Sequence, residues 1–188
     1  MLFDTHAHLN FNTYEEDSLE VLQRSLDNDV WMINVGSQYS TSKRAVEMAE
    51  KYDNGVYAAV GLHPIHAPEE EFDYEKYKKL ALSAVEGKVV AIGEIGLDYY
   101  WKPKTKSRLE LFKERQKKVF LKQLDLAKEL DLPVIIHCRM AHDDLIKILD
   151  SRFQILDSKP RGAIHCFTGT WNQAQKYMEM GFYLGLNG

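Results

Sequence analysis

Histidine and glutamate residues stand at the ends of apolar runs in this chain, where they could bind a metal ion together. His6 and His8 are two residues apart at the end of the first run, and side chains two apart on a strand share a face. Glu94, His137 and His165 each lie at or near the carboxyl end of a later apolar run. A His-X-His pair alone is a weak signal, but the five placements together predict one metal centre.

Seven short apolar runs are predicted to form strands, with helical patterns between them. The runs cover residues 2–8, 31–35, 56–61, 89–94, 133–137, 163–165 and 182–186. Continuous apolar runs of this length are typical of parallel strands that are buried on both faces. Their alternation with helices predicts an α/β fold with a parallel sheet. One long helical pattern, from Leu109 to Leu130, includes Gln116 and Gln123 on its mainly apolar face.

Two folds have this alternation, the open doubly wound sheet and the closed (β/α)8 barrel. The doubly wound sheet commonly has a glycine-rich phosphate loop after its first strand, whereas residues 6–10 of this chain read His-Ala-His-Leu-Asn. The barrel is favoured because the carboxyl ends of its strands converge on one mouth, where distant ligands meet. Seven strands are predicted, and a full barrel commonly needs about 250 residues. We therefore expect residues 1–188 to form one domain, a TIM barrel without its last β/α unit.

Composition limits the other possibilities. With 188 residues, of which 45% are hydrophobic and 28% charged, the chain is large enough to bury a core. The net charge of −4 predicts no general affinity for nucleic acid. No apolar run approaches the roughly 18 residues of a membrane span, and Met1 leads directly into the first strand, so a cytoplasmic protein without a membrane partner is expected. No obligate protein partner is indicated, and Cys138 and Cys166 are interpreted as buried small side chains.

Five segments resemble the motifs of one family in the same order. They are Asp4–Leu9, Gly61–Pro64, Gly93–Tyr99, Ile136–Arg139 and Ile164–Gly169. Together they resemble the TatD family of metal-dependent deoxyribonucleases over essentially the whole chain. The resemblance implies a TIM-barrel hydrolase of the amidohydrolase type, which cleaves DNA phosphodiester bonds and generally works as an exonuclease from the 3′ end.

The resemblance also implies a role for each ligand. His6 and His8 would hold one divalent ion, His137 and His165 would hold a second, and Glu94 would bridge the two ions. The family also supplies a metal-binding aspartate from a Thr-Asp motif on its eighth strand, which this chain does not reach. We therefore predict two divalent cations and a site that lacks one expected carboxylate.

The ligand set is suited to the hydrolysis of phosphodiesters. Two ions about 3.5 to 4 Å apart can activate a water molecule, orient the substrate and offset the charge on the phosphate. Glu94 has two oxygens and a negative charge, so it is the natural bridge and is predicted to be catalytic. Imidazole ligands favour Zn or Mn, and carboxylate with water favours Mg or Mn, so the metal stays open between Mg, Mn and Zn. Hydrolysis of another ester or amide, and an inactive metal-binding fragment, are the alternatives.

Four residues are predicted to contact a single-stranded DNA substrate. Pro64 favours an extended backbone at His63, which could direct the imidazole at a phosphate; the alternative is a role in stabilising the loop. Arg139 follows His137 closely enough to reach the mouth, where its guanidinium could bind a phosphate or form an ion pair. Trp101 and Lys104 belong to an aromatic and basic stretch, residues 99–108, which could stack bases and follow the backbone or could be an exposed loop. The two other histidines, His66 and His142, are predicted to face solvent.

Overall fold

The computed structural model describes residues 1–153 and 161–186 of the chain, and there it contains seven parallel strands. The strands are β1 (Leu2–Ala7), β2 (Val30–Val35), β3 (Val56–Val60), β4 (Val89–Asp98), β5 (Val134–Arg139), β6 (Gly162–His165) and β7 (Tyr183–Leu184). Each strand pairs with the next along the chain, so β1 and β7 are the outer strands of the described sheet. This strand order is the one predicted for a barrel, and it differs from that of a doubly wound sheet.

Helices follow the first six strands, as the sequence pattern predicts. They are α1 (Ser18–Asp27), α2 (Tyr39–Ala49), α3 (Tyr74–Ser83), α4 (Lys106–Glu129), α5 (His142–Phe153) and α6 (Trp171–Met180). Helix α6 begins with a capping box between Thr170 and Gln173 and ends at Gly181, whose φ of 98° is left-handed. No described helix combines the length and the apolar character needed to cross a membrane.

The sheet is curled, and it separates two apolar layers. The imidazole rings of His6 on β1 and His165 on β6 stack with their centres 3.4 Å apart, although four strands separate β1 from β6. Inside the curl, Val35, Ala59 and Ala91 form a small buried cluster with Ile135. The main core lies between the outer face of the sheet and the helices. The curl brings the carboxyl ends of the strands together, as the placement of the ligands requires.

Strand β4 is longer than the sequence pattern predicts. The predicted strand ends at Glu94, whereas β4 continues to Asp98, which pairs with Arg139 of β5. A shift in register between Ile92 and Ile95 lets pairing resume beyond the glycine at position 93. The apolar run in the sequence ends at Glu94, but the neighbouring β5 supplies hydrogen-bond partners beyond it.

The two cysteines are free thiols. Cys138 on β5 is buried, as predicted, and Cys166 directly after β6 is partly buried. Burial raises the pKa of the Cys138 thiol to about 12, so this thiol is protonated at neutral pH.

Candidate metal centre

Glu94 is the central residue of the site. It lies on β4 and is only 5% exposed, and its two carboxylate oxygens face different histidines. Oε2 is 3.3 Å from Nε2 of His6, and Oε1 is 2.9 Å from Nδ1 of His137. Nε2 of His63 lies 3.8 Å from the same Oε1 atom. One buried carboxylate therefore joins histidines from the ends of β1, β3 and β5.

Two groups of potential ligands share this carboxylate. One consists of His6, Glu94 and His165, and the other of His63, Glu94 and His137, with ligand atoms in each group within 4.8 Å of one another. His165 therefore lies with His6, whereas the family resemblance places it with His137. The parallel stacking of the His6 and His165 rings accounts for this difference.

The ring of His8 is oriented by the backbone of β2. Its Nδ1 lies 3.0 Å from the carbonyl oxygen of Val35. A carbonyl oxygen only accepts hydrogen bonds, so Nδ1 must carry the proton and Nε2 must present a lone pair. That Nε2 lies 3.1 Å from Nε2 of His6. His8 is therefore held as a neutral imidazole with a free ligand nitrogen on the side of His6.

His63 is held in the opposite tautomer. Its backbone is extended, with φ −62° and ψ 140°, and it caps the 3₁₀ turn Pro64–His66 by accepting a hydrogen bond at Nδ1 from the amide of Ile65 at 3.1 Å. Because Nδ1 accepts, the proton of a neutral ring must be on Nε2, the nitrogen that faces Glu94. In this tautomer His63 offers a hydrogen-bond donor to the site.

Asp98 is a site residue that the sequence analysis missed. It is 5% exposed, and its Oδ2 lies 3.2 Å from Nε2 of His137, so His137 has a carboxylate at each ring nitrogen. Positions 94 and 98 are four apart and share a strand face. That signal was present in the sequence, but it requires β4 to extend to Asp98.

Burial and hydrogen bonding set the charges in the site. Burial acts to raise the pKa of Glu94, but hydrogen bonds with His137 and His6 outweigh it and hold the pKa well below its usual range. Burial lowers the pKa of His63 and of His165 to about 4. Burial also acts to lower the pKa of His137, but hydrogen bonds with Asp98 and Glu94 raise it to about 9. At neutral pH the site therefore holds an anionic carboxylate at Glu94 and a protonated His137, and the imidazoles of His8, His63 and His165 are neutral.

A glycine allows β4 and β5 to approach each other at the site. Gly96 has a φ of 140°, which side chains rarely adopt, and a Cβ at this position would lie 2.0 Å from the carbonyl oxygen of His137. Any larger residue would push His137 away from Glu94. The glycine in the Glu94–Asp98 segment is therefore required for the position of a histidine on the neighbouring strand.

The residues present fit divalent metal ions. The donor set combines imidazole nitrogens with a buried, ionised carboxylate, which suits Zn, Mn, Fe or Ni. Nδ1 of His6 is buried and has no hydrogen-bond partner among the described residues. A buried nitrogen without a partner is costly, and a bound cation would satisfy it.

Three of the four predicted substrate contacts, Arg139, Trp101 and Lys104, lie outside both ligand groups. The guanidinium of Arg139 stacks on the ring of Tyr100, with Cζ 3.6 Å from the ring centre, which is a cation–π contact. Trp101 is 68% exposed and packs edge-on against Tyr100. Lys104 is exposed. A groove of about 370 Å³ lies beside the stack and is lined by Tyr100, Arg139, Met140, Thr168 and Gln173.

The prediction that His142 faces solvent is wrong. His142 is 7% exposed, and its Nδ1 lies 3.1 Å from the hydroxyl of Tyr177. Its ring also packs edge-on against Phe167. The first residue of α5 is buried because α6 packs over it, a tertiary contact that the sequence pattern does not predict.

The sequence also matches that of known proteins. The profile of the family described as TatD related DNase matches residues 3–188. The chain belongs to the TatD family. It is 44% identical over 192 residues to the Bacillus subtilis (strain 168) protein named "Uncharacterized metal-dependent hydrolase YabD", covering all of this chain and 69% of that protein. It is 35% identical over 188 residues to the Cronobacter sakazakii protein named "3'-5' ssDNA/RNA exonuclease TatD", covering all of this chain and 66% of the relative.

The fold of this TatD family member also matches solved structures. The crystal structure of YJJV, a TATD homolog from Escherichia coli K12, superimposes with a TM-score of 0.81 at 32% identity. The match covers 97% of this chain and 66% of that chain. A TatD family hydrolase from Entamoeba histolytica has the same TM-score at 27% identity. The predicted TIM-barrel fold is confirmed, and the chain spans about two thirds of the length of these relatives.

Proposed function

We propose that the protein is a metal-dependent hydrolase of DNA phosphodiester bonds, which removes nucleotides from the 3′ end of single-stranded DNA. The observation that carries this proposal is the carboxylate of Glu94, whose two oxygens face two separate histidine groups. Such an arrangement would suit a carboxylate that bridges two ions. The name of the Cronobacter relative, an exonuclease on single-stranded DNA and RNA, supports the substrate class.

The ligands divide between the two oxygens of Glu94. His6, His8 and His165 would hold one divalent ion with Oε2, and His137 would hold the second through Nδ1 with Oε1. Bound ions of this kind lower the pKa of a water molecule and offset the charge of a phosphate. His137 must release its Nδ1 proton before this nitrogen can bind an ion.

Residues at the mouth would hold the substrate. His63 donates from Nε2 to a phosphate oxygen, because its Nδ1 is already used by the amide of Ile65. Arg139 and Tyr100 present a stacked cation and ring beside the groove, which suits a phosphate and a base of the same strand. Trp101 offers a second exposed ring, and Lys104 adds a positive charge along the strand.

Hydrolysis of labelled oligonucleotides tests the proposal. The 188-residue chain is stripped of metal with a chelator and then supplied separately with Mg²⁺, Mn²⁺ or Zn²⁺. Single-stranded DNA labelled at the 5′ end should shorten progressively, and a DNA whose 3′ end is blocked should persist. Equal hydrolysis of an unrelated carboxylic ester would favour the other-ester alternative, and metal binding without any hydrolysis would contradict the proposal. The matched control is Glu71→Gln, at an exposed glutamate outside both ligand groups, which should leave the rate unchanged.

A further inference from the structure

Helix α4 contains two glutamines that are fully buried within an apolar face. Gln116 is 1% exposed and Gln123 is not exposed at all. They are seven residues apart, which is close to two helical turns, so they lie on the same side of α4. A buried amide is unfavourable unless its polar atoms are hydrogen-bonded, so the partners of these side chains explain their presence.

Gln123 binds the backbone immediately before His63. Its Oε1 accepts from the amide of Leu62 at 2.7 Å, and its Nε2 donates to the carbonyl oxygen of Leu62 at 3.0 Å. Strand β3 ends at Val60, so Leu62 has passed the end of the strand. The side-chain amide of Gln123 thus forms with Leu62 the pair of hydrogen bonds that a backbone peptide group of a neighbouring strand forms within a sheet.

Gln116 binds Asp98 in the same way. Its Oε1 accepts from the amide of Asp98 at 2.9 Å, and its Nε2 donates to the carbonyl oxygen of Asp98 at 2.9 Å. The carboxylate of Asp98 is then fixed at both oxygens. Oδ1 accepts from the amide of Tyr100 at 2.8 Å, and Oδ2 lies 3.2 Å from Nε2 of His137.

We infer that Gln116 and Gln123 are positioning residues of the metal centre and that they act on different members of it. Gln116 holds Asp98 so that the Nε2 proton of His137 is bound and its Nδ1 faces Glu94. Gln123 holds the backbone at Leu62 so that His63 keeps the tautomer that donates toward Glu94. The inference rests on the proposed function for the meaning of the site, but each contact is independent of the substrate.

The two glutamines are tested separately with Gln116→Leu and Gln123→Leu. Leucine has a similar volume, so each variant keeps the packing and removes only the two hydrogen bonds. The readouts are calorimetric titration of the metal-free protein with Mn²⁺ and the ¹⁵N resonances of the histidine rings, which report the tautomer. Phe120→Leu is the control because Phe120 is buried on α4 between the two glutamines and contacts no site residue through a hydrogen bond.

Each variant is expected to change a different readout. Gln116→Leu should weaken Mn²⁺ binding by about tenfold or more, in line with the loss of outer-shell support for a ligand, and should leave the His63 resonances unchanged. Gln123→Leu should leave Mn²⁺ affinity unchanged, while the His63 nitrogens shift toward a mixture of the two tautomers. Phe120→Leu should change neither.

Two results would overturn the inference. One is that both glutamine variants retain the wild-type affinity and spectra, and the other is that all three variants shift both readouts together, which indicates a general loss of stability. If a leucine variant does not fold, Gln116→Glu or Gln123→Glu keeps the shape and the acceptor and is measured in its place. If the wild-type chain binds Mn²⁺ but does not cleave DNA, the proposed function is wrong. The roles of the two glutamines can still be tested, because both readouts are independent of hydrolysis.

Discussion

His8 and His63 stand at two corners of the same site, and each has its Nδ1 bound by a backbone group of opposite polarity. At His8 the partner is the carbonyl oxygen of Val35, and at His63 it is the amide of Ile65. The first ring is left with a lone pair on Nε2 and the second with a proton. The main-chain atom bound at Nδ1 thus decides whether Nε2 presents a lone pair, as a metal ligand requires, or a proton.

The two partners also differ in their distance along the chain. Val35 lies on β2, 27 positions from His8, whereas Ile65 is two positions from His63 within one turn. The direct partner that sets the tautomer of His8 therefore comes from a neighbouring strand, whereas that of His63 lies in its own turn, whose backbone Gln123 holds from α4. The histidine proposed to bind metal is therefore oriented by a tertiary contact. The histidine proposed to contact substrate is oriented by a hydrogen bond within a short turn.

The largest expected effect comes from the residue that joins the two sides. Glu94→Gln removes the negative charge shared by both histidine groups, so both ions should be lost and DNA hydrolysis should fall by about 10³-fold or more, beyond the roughly 10–100-fold typical of outer-shell changes. Metal content per chain, measured by mass spectrometry, and the hydrolysis rate check this prediction. Circular dichroism provides the folding control. Full metal content in this variant would contradict the bridging role.

Replacing each of the two histidines with glutamine tests the proposed difference between them most directly. His8→Gln should lower the metal content, because the lone pair at Nε2 is lost. His63→Gln should keep the metal content and lower kcat/KM on single-stranded DNA by about 10²-fold, the typical cost of losing one donor to developing charge. Metal analysis and steady-state kinetics on both variants decide the matter. Equal metal loss in both would place His63 among the ligands.

Trp101→Ala tests the proposed contact between an exposed ring and the substrate. If a base stacks on this exposed ring, binding of single-stranded DNA should weaken by about 1 to 3 kcal/mol, with metal content unchanged. Fluorescence anisotropy with a labelled oligonucleotide measures the affinity. Trp171 is exposed to a similar degree, at 69%, on α6, so Trp171→Ala controls for the loss of a surface tryptophan. Equal affinity in the Trp101 variant and the wild type would show that this exposed ring has no part in binding the strand.

The smallest effect is expected from the lysines at positions 102, 104 and 106, which lie just before α4 and at its first residue. Replacing Lys104 with alanine should reduce the slope of log affinity against log salt by about 0.7, the value for one contact to a single strand, and replacing Lys102 and Lys106 as well should reduce it further. Titrations at several salt concentrations give the slope. An unchanged slope in the triple variant would show that the strand does not follow these lysines.

The sequence predicted the barrel and gathered the five proposed ligands because strand ends in a parallel barrel converge, whatever their separation along the chain. It did not predict Asp98, because the predicted strand ends at Glu94 whereas β4 continues to Asp98. It placed Gln116 and Gln123 on the right face of α4, but their partners lie 18 and 61 positions away. Contacts between residues so far apart in sequence depend on how the helices pack against the sheet and one another. The burial of His142 under α6 has the same origin.

The stacked rings of His6 and His165 join the first strand of the sheet to the sixth, across almost all of the described chain. Contacts so distant in sequence close a long loop. The conformational entropy lost in closing this loop must be offset by the interactions that form between the two strands. A ligand bound by both rings binds only the folded chain and stabilises it in proportion to the logarithm of its concentration. The concentration of available metal would therefore affect the stability of the folded protein as well as its rate of hydrolysis.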